Sequence, residues 1–367
     1  MGVKLHNIIS RDKIDYQELA GKIIVIDAPN IIMSLFNFSL KNSSSINQGL
    51  ILDRTQRPIS HLYGLLYRIN FYYSKKIFPL FCFDGKPSEL KRMITKDQLK
   101  DFIFTQRWYA QARQCGDKKE ARNIALSKEY LWQNIIKESK QLLGALGVPY
   151  IEAPSSAESQ CAYLVKKNIA TFSNSQDFDS LLFGTPRVIQ NISKSLRRKV
   201  HGKWQYKKIT PLFINLKNNL RILGINQFQL VDMALMLQTD YFSGITGIGP
   251  KKALHLVKTH RNIESIIREE KKRYDFTPLT SELIYKIRKL FLLPTVLQEF
   301  DTFYWNSPNN PSILSLLCRE HHLNRERVMN NLGKLHESFK KCRSYFNSQS
   351  SATKRVQTRL DAVSFGS

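Results

Sequence analysis

The chain has 367 residues, 42% of them apolar, which argues against wholesale disorder and leaves enough material for a well-buried core in one large domain. Lys and Arg number 56 against 30 Asp and Glu, a formal charge of +26, and a field of that sign points to a polyanionic partner such as nucleic acid. Cys82, Cys115, Cys161, Cys318 and Cys342 are odd in number and widely spaced, so they read as reduced thiols of an intracellular protein, with neither a disulfide framework nor a zinc site. No apolar run reaches spanning length and the N-terminus lacks a signal-peptide core, so no membrane association is expected.

Lys22–Asp27 (KIIVID) is a β-branched apolar run between Gly21 and Ala28-Pro29, the pattern of a buried strand with an acid at its carboxyl end. Lys41–Gly49 reads as a surface loop and His61–Tyr73 as a helix. Phe78–Asp84 (FPLFCFD) then repeats the strand pattern before Gly85-Lys86-Pro87. Strand, helix, strand is the signature of a parallel α/β sheet, whose sites form at the carboxyl ends of the strands. Asp27 and Asp84 are therefore expected to share one edge.

From Leu90 to about Gly147 the chain is polar, basic and helix-like, with a turn at Cys115-Gly116-Asp117. Its lysines and arginines interleave with Phe102, Phe104, Trp108 and Tyr109. That composition suits either a phosphate track with stacking platforms or a solvated helical hairpin whose aromatics face the core. Val148–Ile151 and Ala170–Ser173 read as strands, each leading into an acidic motif: Glu158 in APSSAESQ, then Asp177 and Asp179 in SQDFDSLLFG. Leu230–Leu237 sets Leu230, Met233, Ala234 and Leu237 on one helical face and delivers Asp240 at its end. GITGIGPKK, from Gly244 to Lys252, precedes a helix through about Val257. Past about Phe339 the chain is polar and Ser-rich, the composition of a mobile tail.

Any one of Asp27, Asp84, Glu158, Asp177, Asp179 and Asp240 would more often be a helix cap or turn residue. Six acids at element ends in a cationic chain suggest a set of hard oxygen ligands holding divalent metal against a phosphate backbone. Two-metal phosphodiester hydrolysis needs such a set, with ions about 3.5–4 Å apart. One ion activates water and the other stabilises the leaving oxygen, so no side chain need be the nucleophile. In the glycine turn, Gly247 and Gly249 let a backbone approach a phosphate, and Lys251 and Lys252 add positive charge at a helix N-terminus. The alternative is an ordinary connection between two helices.

These segments together resemble the flap endonucleases of the 5′-nuclease superfamily, of archaeal and eukaryotic type, from Met1-Gly2-Val3 to about Phe339. The matching stretches are VIDAPN around Asp27, SHLYGLLYR from Ser60 to Arg68, FDGKPSELK from Phe83, APSSAESQ, SQDFDSLLFG, and TDY with GITGIGPKKAL. The resemblance implies an α/β fold with a mixed central sheet flanked by helices, a PIN-like 5′-nuclease core spanning residues 1–340. It also implies a helical arch over about 88–130 that admits a single-stranded 5′ flap, and a helix-two-turn-helix element over about 228–260. Carried over, Asp27, Asp84 and Glu158 hold one side of a Mg²⁺ pair and Asp177, Asp179 and Asp240 the other, with Mn²⁺ a substitute. Lys91 neutralises the scissile phosphate, and with Asp179 it heads the catalytic set. Gly2, Arg68, Gly247, Gly249, Lys251 and Lys252 contact DNA, and the glycine turn binds a monovalent cation.

Two positions depart from the family pattern. Ser156 replaces the first glutamate of Ser-Glu-x-Glu, and Gln98 stands where an arginine follows the arch lysine. Lys96 or Lys100 replaces that arginine only in part, because a lysine lacks the planar fork that clamps phosphate. The tail over 341–367 carries QTRLDAVSF, in which Gln357, Leu360 and Phe365 resemble a sliding-clamp-binding motif, although Val363 and Ser364 stand where two aromatics are wanted. The expectation is thus a monomeric, metal-dependent endonuclease and exonuclease acting on branched DNA with 5′ flaps in replication and repair. It would work in the cytoplasm of an archaeon or the nucleus of a eukaryote. The alternatives are a catalytically weakened paralogue that binds branched DNA, or another superfamily member such as a junction resolvase or excision-repair nuclease.

Overall fold

The computed structural model describes residues 3–40, 51–86, 107–125, 128–192, 195–200, 203–352 and 363–364. Its strands are β1 (Asp12–Lys13), β2 (Ile23–Asp27), β3 (Phe78–Phe83), β4 (Tyr150–Glu152), β5 (Phe172–Asn174), β6 (Arg187–Gln190), β7 (Ser195–Val200), β8 (Lys203–Lys208), β9 (Leu212–Asn215), β10 (Phe303–Tyr304) and β11 (Val363–Ser364). Seven of them make one sheet in the order β1-β9-β6-β5-β2-β3-β4. The run from β6 to β4 is parallel, whereas β9 and β1 add on antiparallel, so the sheet is mixed. Strands β7 and β8 form a separate antiparallel ribbon, and β10 pairs in parallel with β11.

Every residue of β2 and β3 is buried, which is why both read as unbroken apolar runs: a parallel strand covered by helices on both faces has no polar side. One face packs a core built from helices Ser60–Ser74, Lys128–Ala145 and Arg325–Ala352. The other core joins β6 and β9 to helices Leu216–Leu223, Gln227–Met236, Pro250–His260 and Ser281–Leu292. From β2 the chain moves outward through β3 to β4, then returns to place β5 on the opposite side of β2. The strand order reverses there, and a crevice opens at the carboxyl ends of β2 and β5.

The element read at Val148–Ile151 lies at Tyr150–Glu152, and the one read at Leu230–Leu237 is the helix Gln227–Met236. All five cysteines are free thiols. The tail is shorter than its composition suggests, because the helix from Arg325 continues to Ala352. Phe339, Cys342 and Phe346 recur at helical spacing; the first two are buried, and the Phe346 ring sits 5.0 Å from that of Phe78. This narrow apolar stripe holds the helix down while its polar faces reach solvent. No helix among the described residues is long and apolar enough to cross a membrane.

Candidate active site

Asp27 ends β2 and also caps the helix that follows. Its Oδ1 accepts the Asn30 backbone N–H at 3.3 Å and its Oδ2 accepts the Ser175 hydroxyl at 3.3 Å. Asp84 follows β3, the neighbouring strand. There Gly85 donates its N–H to the Ser155 carbonyl at 2.8 Å, and a Cβ on Gly85 would lie 1.8 Å from the Ala153 carbonyl oxygen, so only glycine permits the approach. That docking places Asp84 at the N-terminus of helix Ala157–Lys166, where its Oδ1 accepts the Ala157 N–H at 2.7 Å. A carboxylate is stabilised there by the unpaired N–H groups and the helix dipole.

Glu158 lies in the first turn of that helix, and its Oε1 is 3.5 Å from the Ser175 hydroxyl. Asp177 and Asp179 follow β5. Asn30 donates its side-chain N–H to Asp177 Oδ2 at 2.6 Å, and the Val3 N–H donates to Asp179 Oδ1 at 2.6 Å. Asp240 comes after the helix Gln227–Met236. Val3 is thereby stitched to Asp179.

Asp27, Glu158 and Asp179 are each perturbed by the acids around them. Burial, then the charge of Asp84 and later that of Asp177, pushes the Asp27 carboxyl up to about 8. Burial followed by Asp27, Asp179, Asp177 and Asp84 raises Glu158 well above the carboxylate range. Asp179 is raised to about 6 by burial, with Asp240 and Asp177 adding to it against the Val3 N–H. The Tyr241 hydroxyl is also pushed up, by burial and then by Glu158, Asp179, Asp240 and Asp84. Asp84 and Asp179, 95 positions apart in sequence, therefore share a neighbourhood around Glu158.

Among the described residues no three acidic, Cys or His side chains close on one point as a ready-made metal site. The acids face a common space instead. That arrangement suits hard divalent cations, which keep waters and phosphate oxygens among their ligands. The donor set is all carboxylate oxygen, the preference of Mg²⁺ or Mn²⁺, and only such cations relieve the cost of ionising it whole. The residues fit the ions.

Sequence reasoning missed three contributors. Asn30 bridges Asp27 and Asp177, Ser175 touches Asp27 and Glu158, and Tyr241 packs beside four acids. Only their adjacency to the acidic motifs could have flagged them. Ser156, the departure from the family pattern, is the N-cap of the Glu158 helix: its Oγ accepts the Glu158 N–H at 3.2 Å. Ser156→Glu adds a carboxylate but removes this cap, so we expect tighter Mg²⁺ binding by calorimetry together with a stability loss of about 1 kcal/mol in denaturant unfolding.

Arg68 is half-buried on helix Ser60–Ser74 and hydrogen-bonds the Tyr72 hydroxyl, which also accepts from Asn174 at 3.1 Å, at the carboxyl end of β5. Arg68 is thus fixed toward the sheet end that carries the acids. The glycine turn lies between helices Gln227–Met236 and Pro250–His260. Gly247 has φ +82°, a conformation costly for any other residue, and Gly249 is the N-cap before Pro250. Lys251 is exposed, and Lys252 folds back to donate to the Gly247 carbonyl at 3.0 Å. If this turn binds duplex phosphates, Lys251→Ala weakens binding across all sequences and reduces the slope of log K against log salt by about 1. Fluorescence anisotropy at several salt concentrations measures both. Gly2, Lys91, Gln98, Gln357, Leu360 and Phe365 lie outside the described residues.

Comparison with known proteins shows the family. The XPG I-region family profile matches residues 147–240, the span holding Glu158, Asp177, Asp179 and Asp240. "Flap endonuclease 1" of Caldivirga maquilingensis is 36% identical over 342 residues, covering 91% of this chain and 93% of that protein. The Staphylothermus marinus protein of the same name is 37% identical over 345 residues, covering 93% and 96%. This chain belongs to the flap endonuclease family. The fold of that family is also seen in the solved flap endonuclease-1 from Methanococcus jannaschii, with TM-score 0.69, 25% identity and coverage of 92% of this chain and 99% of that one. The catalytic core of Rad2 in complex with DNA substrate shares the fold at TM-score 0.62 and 22% identity, covering 89% and 96%.

Proposed function

We propose that the protein is a structure-specific endonuclease that hydrolyses DNA phosphodiesters where a duplex meets a single-stranded 5′ flap. The observation that carries this reading is the gathering of six acids, of which Asp27, Glu158 and Asp179 are raised by burial and by their acidic neighbours, in a chain of charge +26. Carboxylates gathered beside DNA are costly unless cations neutralise them. Asp27, Asp84 and Glu158 would hold one Mg²⁺ or Mn²⁺, and Asp177, Asp179 and Asp240 a second. When bound, such ions supply an activated water and charge stabilisation for the departing oxygen.

The chain's own groups then orient and neutralise. Asn30 and Ser175 fix Asp27, Glu158 and Asp177 by hydrogen bonds. Arg68, held by Tyr72, is positioned to meet a backbone phosphate, and Lys91 is assigned the scissile one. Gly247, Gly249, Lys251 and Lys252 grip the duplex, with a monovalent cation in the turn. The described stretch 107–125 falls within the arch of about 88–130 that the family resemblance assigns to admitting the flap. The tail motif of Gln357, Leu360 and Phe365 engages a sliding clamp, and the enzyme works as a monomer in replication and repair. The six retained acids favour hydrolysis over binding alone.

The test is incubation with an end-labelled 5′-flapped duplex and Mg²⁺ or Mn²⁺. Incision at the flap junction, absent in chelator, is expected. Tight binding without incision at high metal would contradict the assignment.

A further inference from the structure

Five ionisable side chains outside the acid site meet at the start of helix Ser60–Ser74: Asp53, His61 and His321 are buried, and Arg57 and Glu138 are half-buried. Asp53 folds its own loop: Oδ1 accepts from the Thr55 N–H at 2.8 Å, the Thr55 hydroxyl at 2.7 Å and the Arg57 N–H at 2.9 Å. Asp53 Oδ2 meets Arg57 Nε at 3.0 Å and His321 Nδ1 at 3.0 Å. Glu138, from helix Lys128–Ala145, meets His61 Nε2 at 3.0 Å, and His321 Nε2 lies 3.3 Å from its other oxygen without hydrogen-bond alignment. Arg57 Nη1 is 3.9 Å from Glu138, and Nη2 donates to the Glu320 carbonyl at 2.8 Å. Both histidine side chains are fully buried, and His61 Nδ1 has no hydrogen-bond partner.

The charges balance. Against the cost of burial, His321 and its neighbours hold Asp53 at about 2, and His321 and His61 hold Glu138 at about 2. Two carboxylates thus face Arg57 and the His321 imidazole, whose affinity for a proton Asp53 and Glu138 push up against burial. Burial pushes His61 down, so it is the neutral member. Such a satisfied set fixes geometry, whereas removing one member leaves an uncompensated buried charge.

The cluster joins segments that are remote in sequence: the loop at 51–59, helices Ser60–Ser74 and Lys128–Ala145, and residues 315–321. A fifth segment attaches through Tyr109, whose buried hydroxyl donates to the Thr55 carbonyl at 2.5 Å. Tyr109 belongs to the basic helical stretch 107–125, which has its own small core of Tyr109, Ala112, Ala121 and Ala125. A segment with so little apolar burial depends on local tethers for its placement.

We propose that Asp53, Arg57, Glu138, His61 and His321 form a positioning hub that holds the foot of the 107–125 hairpin, through Thr55 and Tyr109, so that a single-stranded flap meets the acid cluster in register. The inference rests on the nuclease reading above and adds residues outside the acid cluster. The hub acts on flap presentation alone, so a substrate without a flap does not need it.

The test compares full-length protein on two Mg²⁺-supported substrates sharing one duplex sequence, one with a long single-stranded 5′ flap and one nicked without a flap. Tyr109→Phe removes a single hydroxyl. Its single-turnover rate should fall about fivefold on the flapped duplex and stay unchanged on the nicked one, with an unchanged melting temperature. His321→Gln should show a larger loss with the same selectivity for the flap. Equal effects on both substrates, or a lower melting temperature with an unchanged flap-to-nick ratio, would overturn the hub as a positioning device. A wild-type protein that cuts neither substrate would overturn the nuclease reading and this inference with it.

Discussion

Asp179→Asn is expected to reduce single-turnover cleavage of a 5′-flapped duplex by roughly 10²–10³-fold, the usual loss when one preorganised electrostatic group is removed. Asp179 is 5% exposed, is raised to about 6 by burial and by Asp240 and Asp177, and accepts the Val3 N–H at 2.6 Å. Asparagine retains an oxygen for Val3, so the N-terminus stays anchored while the charge is lost. Alanine would remove both and confuse the two roles. Binding of the flapped duplex in Ca²⁺, measured by anisotropy, should change less than threefold. A variant that cuts at the wild-type rate would remove Asp179 from the catalytic set.

The second large effect is on stability. In metal-free protein, Asp27 binds its proton more tightly folded, at about 8, than unfolded, at 3.8. Between those values the native state carries more protons than the unfolded one, so the stability that Asp27 contributes is fully present below about 3.8 and is lost as pH rises through that window. The shift at Asp27 alone corresponds to a loss on the order of 5 kcal/mol by pH 9. Glu158, raised in the same direction, adds to it. Mg²⁺ binds the ionised acids and should reverse the trend, raising the melting temperature more at pH 8 than at pH 6. Asp27→Asn in chelator should flatten the pH dependence. Thermal melts across pH, with and without Mg²⁺, decide the matter, and a metal-free protein equally stable at pH 5 and pH 9 would refute this picture of the site.

Much of this was legible in the sequence because the carrying signals are local. KIIVID and FPLFCFD announce buried strands by unbroken apolarity, and each ends in the acid that the parallel sheet delivers to the crevice. The Gly-Ile-Gly-Pro turn between two helices was equally readable, since positive φ at Gly247 and a proline at the first helical position are written in residue type. What stayed hidden is non-local. β1 and β9 pair across some 200 residues with only short, half-exposed strands to mark them. The stripe Phe339–Cys342–Phe346 was masked by the polar residues around it. Nothing in the chain near His321 says that its partners are Asp53 and Glu138, and nothing near Asn30 points to Asp177. Ser156 looked like a missing ligand in sequence, and the fold shows that it also caps the helix carrying Glu158.

The claim beneath all of these expectations is that the acids around Glu158 form one divalent-cation site in which Asp27, Glu158 and Asp179 hold their protons more tightly. Calorimetric titration of Mg²⁺ at pH 7, in buffers of different ionisation enthalpy, tests it without a nuclease assay. Burial and the neighbouring carboxylates keep Asp27, at about 8, largely protonated at that pH, and Glu158 is raised in the same direction, so metal binding must expel protons. The account predicts about one or more protons released per chain, a release that Asp27→Asn diminishes. Mg²⁺ binding with no buffer-dependent heat, or no Mg²⁺ binding at millimolar concentration, would contradict it.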